Sequence, residues 1–344
     1  MNCNHRNYFQ KIMNLGAWLL LGPALLGAPA SNVSAAPPDP LAAGFHNPPD
    51  SARPQTWWHW MNGNITKVGI TKDLEAMKQI GLGGATIVNV DCGIPPGPVK
   101  FMSPEWRDDF KFAVQEANRL GLKLCVENCA GWSSSGGPWN TATNAMQRVT
   151  TSEIIVTGPT NYNDSLPQPP TKLDFYRDIA VLAFPTPTNG SEKIDDIQAK
   201  DGDNGGFVLS SPASTNAAPG SVIQGGAMVD LTGRLQAGGR LNWDVPPGRW
   251  TILRIGYTPT GVDNHPAAWG GLGLECDKMS KTALDQHWNG FMQKVLNDIG
   301  PLAGKALDCS LIDSYEVGGQ NWTKNFREDF EKRRGYDPLK FLPT

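Results

Sequence analysis

The sequence has no surplus of charge of either sign: 30 Lys and Arg against 33 Asp and Glu leave a formal charge of −3 over 344 residues. A chain so balanced presents no basic stripe for nucleic acid and no electrostatic hold on an anionic membrane surface. It also lacks any C-x-x-C spacing. Cys3 lies in the leader described below, and Cys92, Cys125, Cys129, Cys276 and Cys309 are an odd number, so a zinc site is disfavoured and buried free thiols are expected. Past residue 36 there is no apolar run long enough to span a bilayer. No G-x-x-x-x-G-K-[ST] loop is present. Ser133-Ser134-Ser135-Gly136-Gly137 lacks the G-x-S-x-G elbow, and Gly81-Leu82-Gly83-Gly84 comes before its strand instead of after it. Together these absences argue against a phosphate-binding loop, a serine-hydrolase nucleophile and a dinucleotide site.

What the chain does have is tryptophan, 12 in all, within an ordinary 40% hydrophobic composition and a length that suggests two domains. Flat indole faces suit the C–H faces of a sugar ring, although most tryptophans also serve as core. Residues 1–36 read as a signal peptide. Arg6 and Lys11 precede a short apolar run interrupted by Gly22-Pro23, and small residues follow at Ala28-Pro29-Ala30 and Val33-Ser34-Ala35. Export to the periplasm or medium is therefore expected. Residues 37–54 are rich in Pro and Ala and read as a linker.

From residue 55 the pattern alternates strand and helix. The aromatic run 55–60, then 84–90 and 123–127, read as buried strands, and 66–80 and 104–120 carry helical apolar spacing closed by Gly81 and Gly121. Ser103-Pro104 is an N-cap followed by proline at the first helical position. Repeated βα units of this kind build a parallel sheet with covering helices. Between 150 and 265 the pattern changes to alternating runs (152–156, 179–184, 227–231, 241–245 and 250–257) divided by Pro, Gly, Asn and Asp, which predicts an inserted antiparallel β-sandwich. From 266 to 344 the βα pattern resumes, with helices expected at 280–299 and 321–334 around a strand at 307–312. The expected fold is thus part of a (β/α)8 barrel, about four βα units, whose first section is 55–149. A whole barrel takes about 250 residues of its own.

Parallel barrels carry their chemistry beyond the C-terminal strand ends, so acids there are the candidates. Glycoside hydrolysis needs one protonated and one ionised carboxyl. Glu316, past an apolar strand and beside Tyr315 and Trp322, is in a setting that raises a carboxyl pKa, which makes it the first choice as acid. Asp313, Glu127, Glu275 and Asp277 can lie around the same mouth, where Asn128 and Asn89 add amide oxygens. His59, Trp57, Trp132 and Trp139 are candidates for holding the sugar. Any single one of these acids is as readily a structural ion pair as a site residue.

Several stretches resemble glycoside hydrolase family 106, the α-L-rhamnosidases. They are Arg53-Pro54-Gln55-Thr56-Trp57-Trp58-His59-Trp60-Met61-Asn62-Gly63, Glu127-Asn128-Cys129-Ala130-Gly131-Trp132-Ser133 with Gly136-Gly137-Pro138-Trp139, Glu275-Cys276-Asp277-Lys278-Met279-Ser280 and Asp313-Ser314-Tyr315-Glu316. The resemblance implies an inverting enzyme that removes terminal α-L-rhamnose from an oligosaccharide or polysaccharide, dependent on Ca2+. It implies that Glu316 is one of two catalytic carboxylates, with Asp313 its neighbour. Family members are much longer than this chain. Another barrel glycosidase and a non-catalytic carbohydrate-binding protein are the competing readings.

Overall fold

A computed structural model describes residues 39–133, 135–188 and 220–343. The expected signal peptide at 1–36 lies outside the described residues. The described residues divide after Pro48 into two units. In the first, the linker is not wholly irregular: α1 (Pro40–His46) is a helix with Pro40 at its start and Asp39 accepting from the N–H of Leu41. Proline at the first helical position and an aspartate cap outweigh the surrounding Pro/Ala-rich composition.

The second unit begins with the expected alternation. β1 (Gln55–Met61), α2 (Lys67–Gln79), β2 (Gly84–Val90), α3 (Pro104–Leu120) and β3 (Lys123–Ala130) follow one another. α2 is capped by Thr66 and α3 by Ser103, whose hydroxyl accepts from the N–H of Trp106; Gly121, at φ 68°, ends α3 in the left-handed conformation. The chain then runs through four antiparallel strands, β4 (Gln147–Ser165), β5 (Arg177–Pro185), β6 (Val229–Asp230) and β7 (Arg240–Pro259). It returns through α4 (Lys281–Gly290) and α5 (Met292–Ile299) to β8 (Leu307–Leu311) and ends on α6 (Phe326–Arg334).

The parallel sheet has the order β1-β2-β3-β8. Trp58, Trp60, Ala85, Ile87, Leu124 and Val126 point to one face and pack with Leu74 of α2, with Trp106, Phe110 and Val114 of α3, and with Phe291 and Val295. Because side chains alternate along a strand, Trp57, His59, Cys125 and Glu127 belong to the opposite face.

Three expectations change. The helix expected over 280–299 is broken at Phe291 (φ −126°, ψ −77°). Trp139 presses so closely on Gly290 that a Cβ there would meet the indole at 2.3 Å, and it stacks on Phe291 with the rings 3° from parallel. Docking of this ring overrides helical continuity. The last helix starts at Phe326, not at 321, because Asn321 and Trp322 are drawn into pairing with Gln147: the N–H of Asn321 donates to the Gln147 carbonyl, and Asn321 Oδ1 accepts from the N–H of Val149.

The insertion, among the described residues, is one sheet in the order β4-β7-β5-β6, not a two-layer sandwich. The expected strands 241–245 and 250–257 are two ends of β7, which pairs with β4 along almost its whole length. One face buries Val181, Ala183, Trp243 and Ile252 with Leu166 and Leu231, and the other buries Leu182, Phe184, Leu253 and Ile255 with Leu339. Connecting loops and the turn after α6 supply the cover that a second sheet was expected to give.

Candidate active site

β3 and β8 run parallel as far as the pair Glu127 and Leu311, so the segments leaving their C-terminal ends emerge side by side. A third segment, around His265, closes on both. Gly131 makes this approach feasible: at φ 82° it leaves room for the His265 carbonyl, which an added Cβ would meet at 2.6 Å. The N–H groups of Trp132 and Ser133 both donate to the His265 carbonyl at 3.1 Å, and the N–H of His265 donates to Ser133 Oγ at 2.8 Å. From the β8 side, the N–H of Ser314 donates to the Trp132 carbonyl at 3.0 Å and that of Glu316 to the Ser133 carbonyl at 3.4 Å. This knitting sets His265 Nε2 3.6 Å from Glu316 Oε2, with the Glu316 side chain 34% exposed.

The buried carboxyl at this rim is Glu127, not Glu316. Glu127 is fully enclosed; its Oε1 accepts from the N–H of Asp313 at 3.1 Å, and its Oε2 has no hydrogen-bond partner. Burial is the main cause that pushes its pKa up to about 8, with the Asp313 N–H opposing and the Asp313 charge assisting. Burial therefore favours the protonated form of Glu127. The enclosed setting that the sequence suggested for Glu316 belongs to this residue in the C-terminal half of β3. Asp313 itself is exposed, held by its backbone above Glu127.

The other predicted site residues divide. Asn128, buried, donates from Nδ2 to Ser135 Oγ at 2.7 Å and keeps Oδ1 without a partner, while Asn89 accepts from the Trp106 indole at 2.9 Å and keeps Nδ2 without one. Glu275 is fully buried between the N–H of Ser135 (2.8 Å), the Ser133 hydroxyl (3.3 Å) and Lys278 Nζ (2.7 Å), so it anchors the loop after β3. Lys278 lies 5.4 Å above the Tyr315 ring, which ties that anchor to the Asp313–Glu316 loop. Asp277 accepts from the N–H of Met279 at 2.9 Å, from the Thr323 hydroxyl at 2.7 Å and from the Gln320 amide, and holds the chain after β8 in place. Both acids are fully engaged and build the rim without facing it.

The aromatic candidates separate too. Trp57 is exposed on β1 and stacks with His59, also exposed, at 6.1 Å. Trp132 is half-buried next to the knitted loops. Trp139 is instead wedged into the core on Phe291, its indole N–H donating to His287 Nδ1 at 3.0 Å. That bond leaves the proton of His287 on Nε2, which donates to the Asn128 carbonyl at 3.1 Å; burial holds the imidazole neutral, its pKa pulled down to about 4.

The model for glycoside hydrolase family 106, described as alpha-L-rhamnosidase, matches residues 46–344. The chain belongs to this family. A rhamnosidase from Novosphingobium sp. PP1Y has a similar structure, with a TM-score of 0.72 and 26% identity over 89% of this chain and 42% of that one. A protein of Formosa agariphila that carries a provisional beta-glucuronidase name is 51% identical over 306 residues, which is 88% of this chain and 26% of that protein. The chain therefore spans about a quarter of that relative and less than half of the solved structure.

Within the family frame, the residues that sequence reasoning missed are His265 and Lys278. His265 is the last residue of the predicted insertion, so it was counted with the antiparallel strands. Its short sequence distance from Glu275 and Lys278 was the available signal that this turn returns to the rim.

Proposed function

We propose that this chain forms part of the catalytic region of a glycoside hydrolase that releases terminal α-L-rhamnose with inversion, and that its parallel sheet is a section of a (β/α)8 barrel. The observation that carries this reading is the convergence of Asp313, Glu316 and His265 on one rim above the buried Glu127. Glu316, open to solvent on one side, is the residue to deliver a proton to the leaving glycosidic oxygen. His265 is placed to return a proton to it between turnovers. Asp313, exposed and ionisable, is the neighbour that receives a proton from attacking water or orients the sugar hydroxyls. Glu127 is enclosed and acts from beneath by fixing the Asp313 backbone. Trp57 and His59 are proposed to meet the sugar, and the buried Asn128 to brace the rim. Export, to the periplasm or beyond, belongs to the same reading and rests on the leader at 1–36. Among the described residues no helix is long and apolar enough to cross a membrane.

Family resemblance also implies calcium. Among the described residues no three His, Cys, Asp or Glu side chains gather to hold a metal ion. Glu275 and Asp277 already have protein donors on their carboxylates, and the lone unpartnered oxygens of Glu127 and Asn128 do not complete a hard-cation cage of six to eight oxygens. The donor set of the described residues therefore does not fit the ion.

A second reading follows from the Formosa agariphila protein: the substrate would be a β-glucuronide. Its carboxylate would need a cationic partner. At the rim Lys278 is committed to Glu275 at 2.7 Å, which leaves His265 for that task and favours a neutral sugar. Hydrolysis of an aryl α-L-rhamnoside beside an aryl β-glucuronide, with and without chelator, decides between them. Release of β-configured L-rhamnose as first product supports the proposal. Turnover of the glucuronide alone replaces the substrate, and binding of either sugar without release makes the chain a carbohydrate-binding protein.

A further inference from the structure

The rim accounts for none of the cysteines, yet two of them face each other across its supporting strands. β3 and β8 pair Leu124 with Leu307, and then, after a shift of register, Cys125 with Cys309. The extra residue on β8 is Asp308, whose carboxylate turns toward Lys123 Nζ at 3.7 Å. Without that bulge Asp308 would stand opposite Cys125, and Cys309 would stand opposite Val126. A bulge inserts one unpaired residue and re-aims the side chain that follows it. Here it brings two thiols to directly opposed positions on adjacent strands.

Neighbouring strands lie about 4.7–4.9 Å apart, inside the range of Cα separations that a disulfide spans, about 4.4–6.8 Å. Among the described residues Cys125 is buried and Cys309, on the edge strand of the sheet, is exposed, and both are free thiols. The Cys309 thiol bonds to that of Cys125, which Thr86 also contacts; burial first, and then this neighbour, push the Cys125 thiol up to about 12.

We propose that Cys125 and Cys309 form a thiol–disulfide exchange site that closes to a cross-strand disulfide on reaction with a small-molecule disulfide. The exposed Cys309 thiolate attacks one sulfur of the oxidant, and the first thiol leaves. Cys125 then loses its proton and attacks the Cys309 sulfur of the mixed disulfide, and the second thiol leaves. One S–S bond forms in the protein and one breaks in the oxidant; the two electrons and two protons end on the two released thiols. The exchange starts at Cys309 because access governs the first attack, and the scarcity of thiolate at Cys125 makes the second attack the slower one. The product would tie together the strands that carry Glu127, two residues beyond Cys125, and Asp313, four beyond Cys309.

The test treats the folded chain with oxidised glutathione, blocks the remaining thiols with N-ethylmaleimide, and maps the unreduced digest by mass spectrometry. The expected result is a Cys125–Cys309 cross-linked peptide as the main cross-link, lost after dithiothreitol. Cys92, the other exposed thiol, takes glutathione and keeps it. In Cys125→Ser the glutathione remains on Cys309, and in Cys309→Ser no cross-link to Cys125 forms. If wild-type Cys309 keeps glutathione as Cys92 does, or links to a different cysteine, the proposal is overturned. The wild-type map decides the matter even where a serine variant fails to fold.

Discussion

The two sheets differ in how far they satisfy their buried polar groups. In the antiparallel sheet, Arg254 on β7 donates to both carboxylate oxygens of Asp178 on β5, at 2.7 and 3.0 Å, and to the Leu166 carbonyl at 3.2 Å, while the Tyr176 hydroxyl donates to the same carboxylate at 2.7 Å. Burial would raise the Asp178 pKa, but Arg254 and Tyr176 outweigh it and hold the carboxyl below its ordinary value. In the parallel sheet, Trp60 Nε1, Asn89 Nδ2, Glu127 Oε2 and Asn128 Oδ1 lie buried without partners, against a single such atom, Gln147 Oε1, at the start of β4. Each such atom costs about 1–3 kcal/mol. A satisfied network holds a fold, whereas unmet donors and acceptors near the C-terminal strand ends lower stability there.

The sharpest way to break this contrast is at Glu316. In a preparation that hydrolyses the rhamnoside, Glu316→Gln is expected to lower kcat by about 10²–10⁴-fold with an unchanged denaturation midpoint, since the side chain is partly exposed and its main tie is to His265. Near-normal turnover would remove it from the acid role. The opposite behaviour is expected from Arg254→Met. That change leaves Asp178 with the Tyr176 hydroxyl as its remaining side-chain donor and the Leu166 carbonyl without the guanidinium, and, because the Asp178 side chain is a third exposed, should lower the unfolding free energy by about 1–3 kcal/mol, read from urea denaturation. A loss below about 1 kcal/mol would mean that the pair is solvated in solution and the contrast is overdrawn.

Glu127 gives the contrast a pH axis. Its folded-state pKa of about 8 lies above the ordinary value of 4.5, so the folded chain binds this proton more tightly than the unfolded one. The resulting stabilisation is complete below 4.5 and is lost as pH rises through 8. Glu127→Gln keeps an acceptor for the Asp313 N–H and cannot ionise. Relative to it, the wild type should lose about 3–4 kcal/mol of stability between about pH 5 and pH 8.5, measured by urea denaturation at both. Parallel pH curves for the two proteins would show that Glu127 is ionised or solvated in the fold.

Local signals were legible where they act over one turn or one strand. The cap Ser103, the stop at Gly121, the strand at 84–90 and the start of the strand at 123 depend on neighbours in sequence, and they fall where the pattern put them. Long-range docking was not legible. The wedge of Trp139 into Gly290 splits a helix whose own spacing is continuous, and Gln147 captures Asn321 from 174 positions away. At the site, the strand-end rule found Asp313, Glu316 and Glu127 but could not rank their burial, because what covers Glu127 comes from segments distant in sequence. For the same reason Glu275 and Asp277 looked like rim acids, although their donors, Ser135 and Thr323, enclose them.

The smallest expected effect tests whether the rim depends on a distant cap. Ser103 holds the first turn of α3 by accepting from the N–H of Trp106 at 3.2 Å, and Trp106 in turn donates its indole N–H to Asn89 at 2.9 Å. Ser103→Ala should cost about 1 kcal/mol of stability by urea denaturation. The fully buried Trp106 is clamped between Phe101, Phe110 and Phe291, so the loss of one backbone bond should not shift its ring. Tryptophan fluorescence and sugar turnover should therefore stay at wild-type values. A drop in turnover larger than the stability loss explains would show that the packing of α3 reaches Asn89 and the rim, and that the parallel sheet is less rigid than its core suggests.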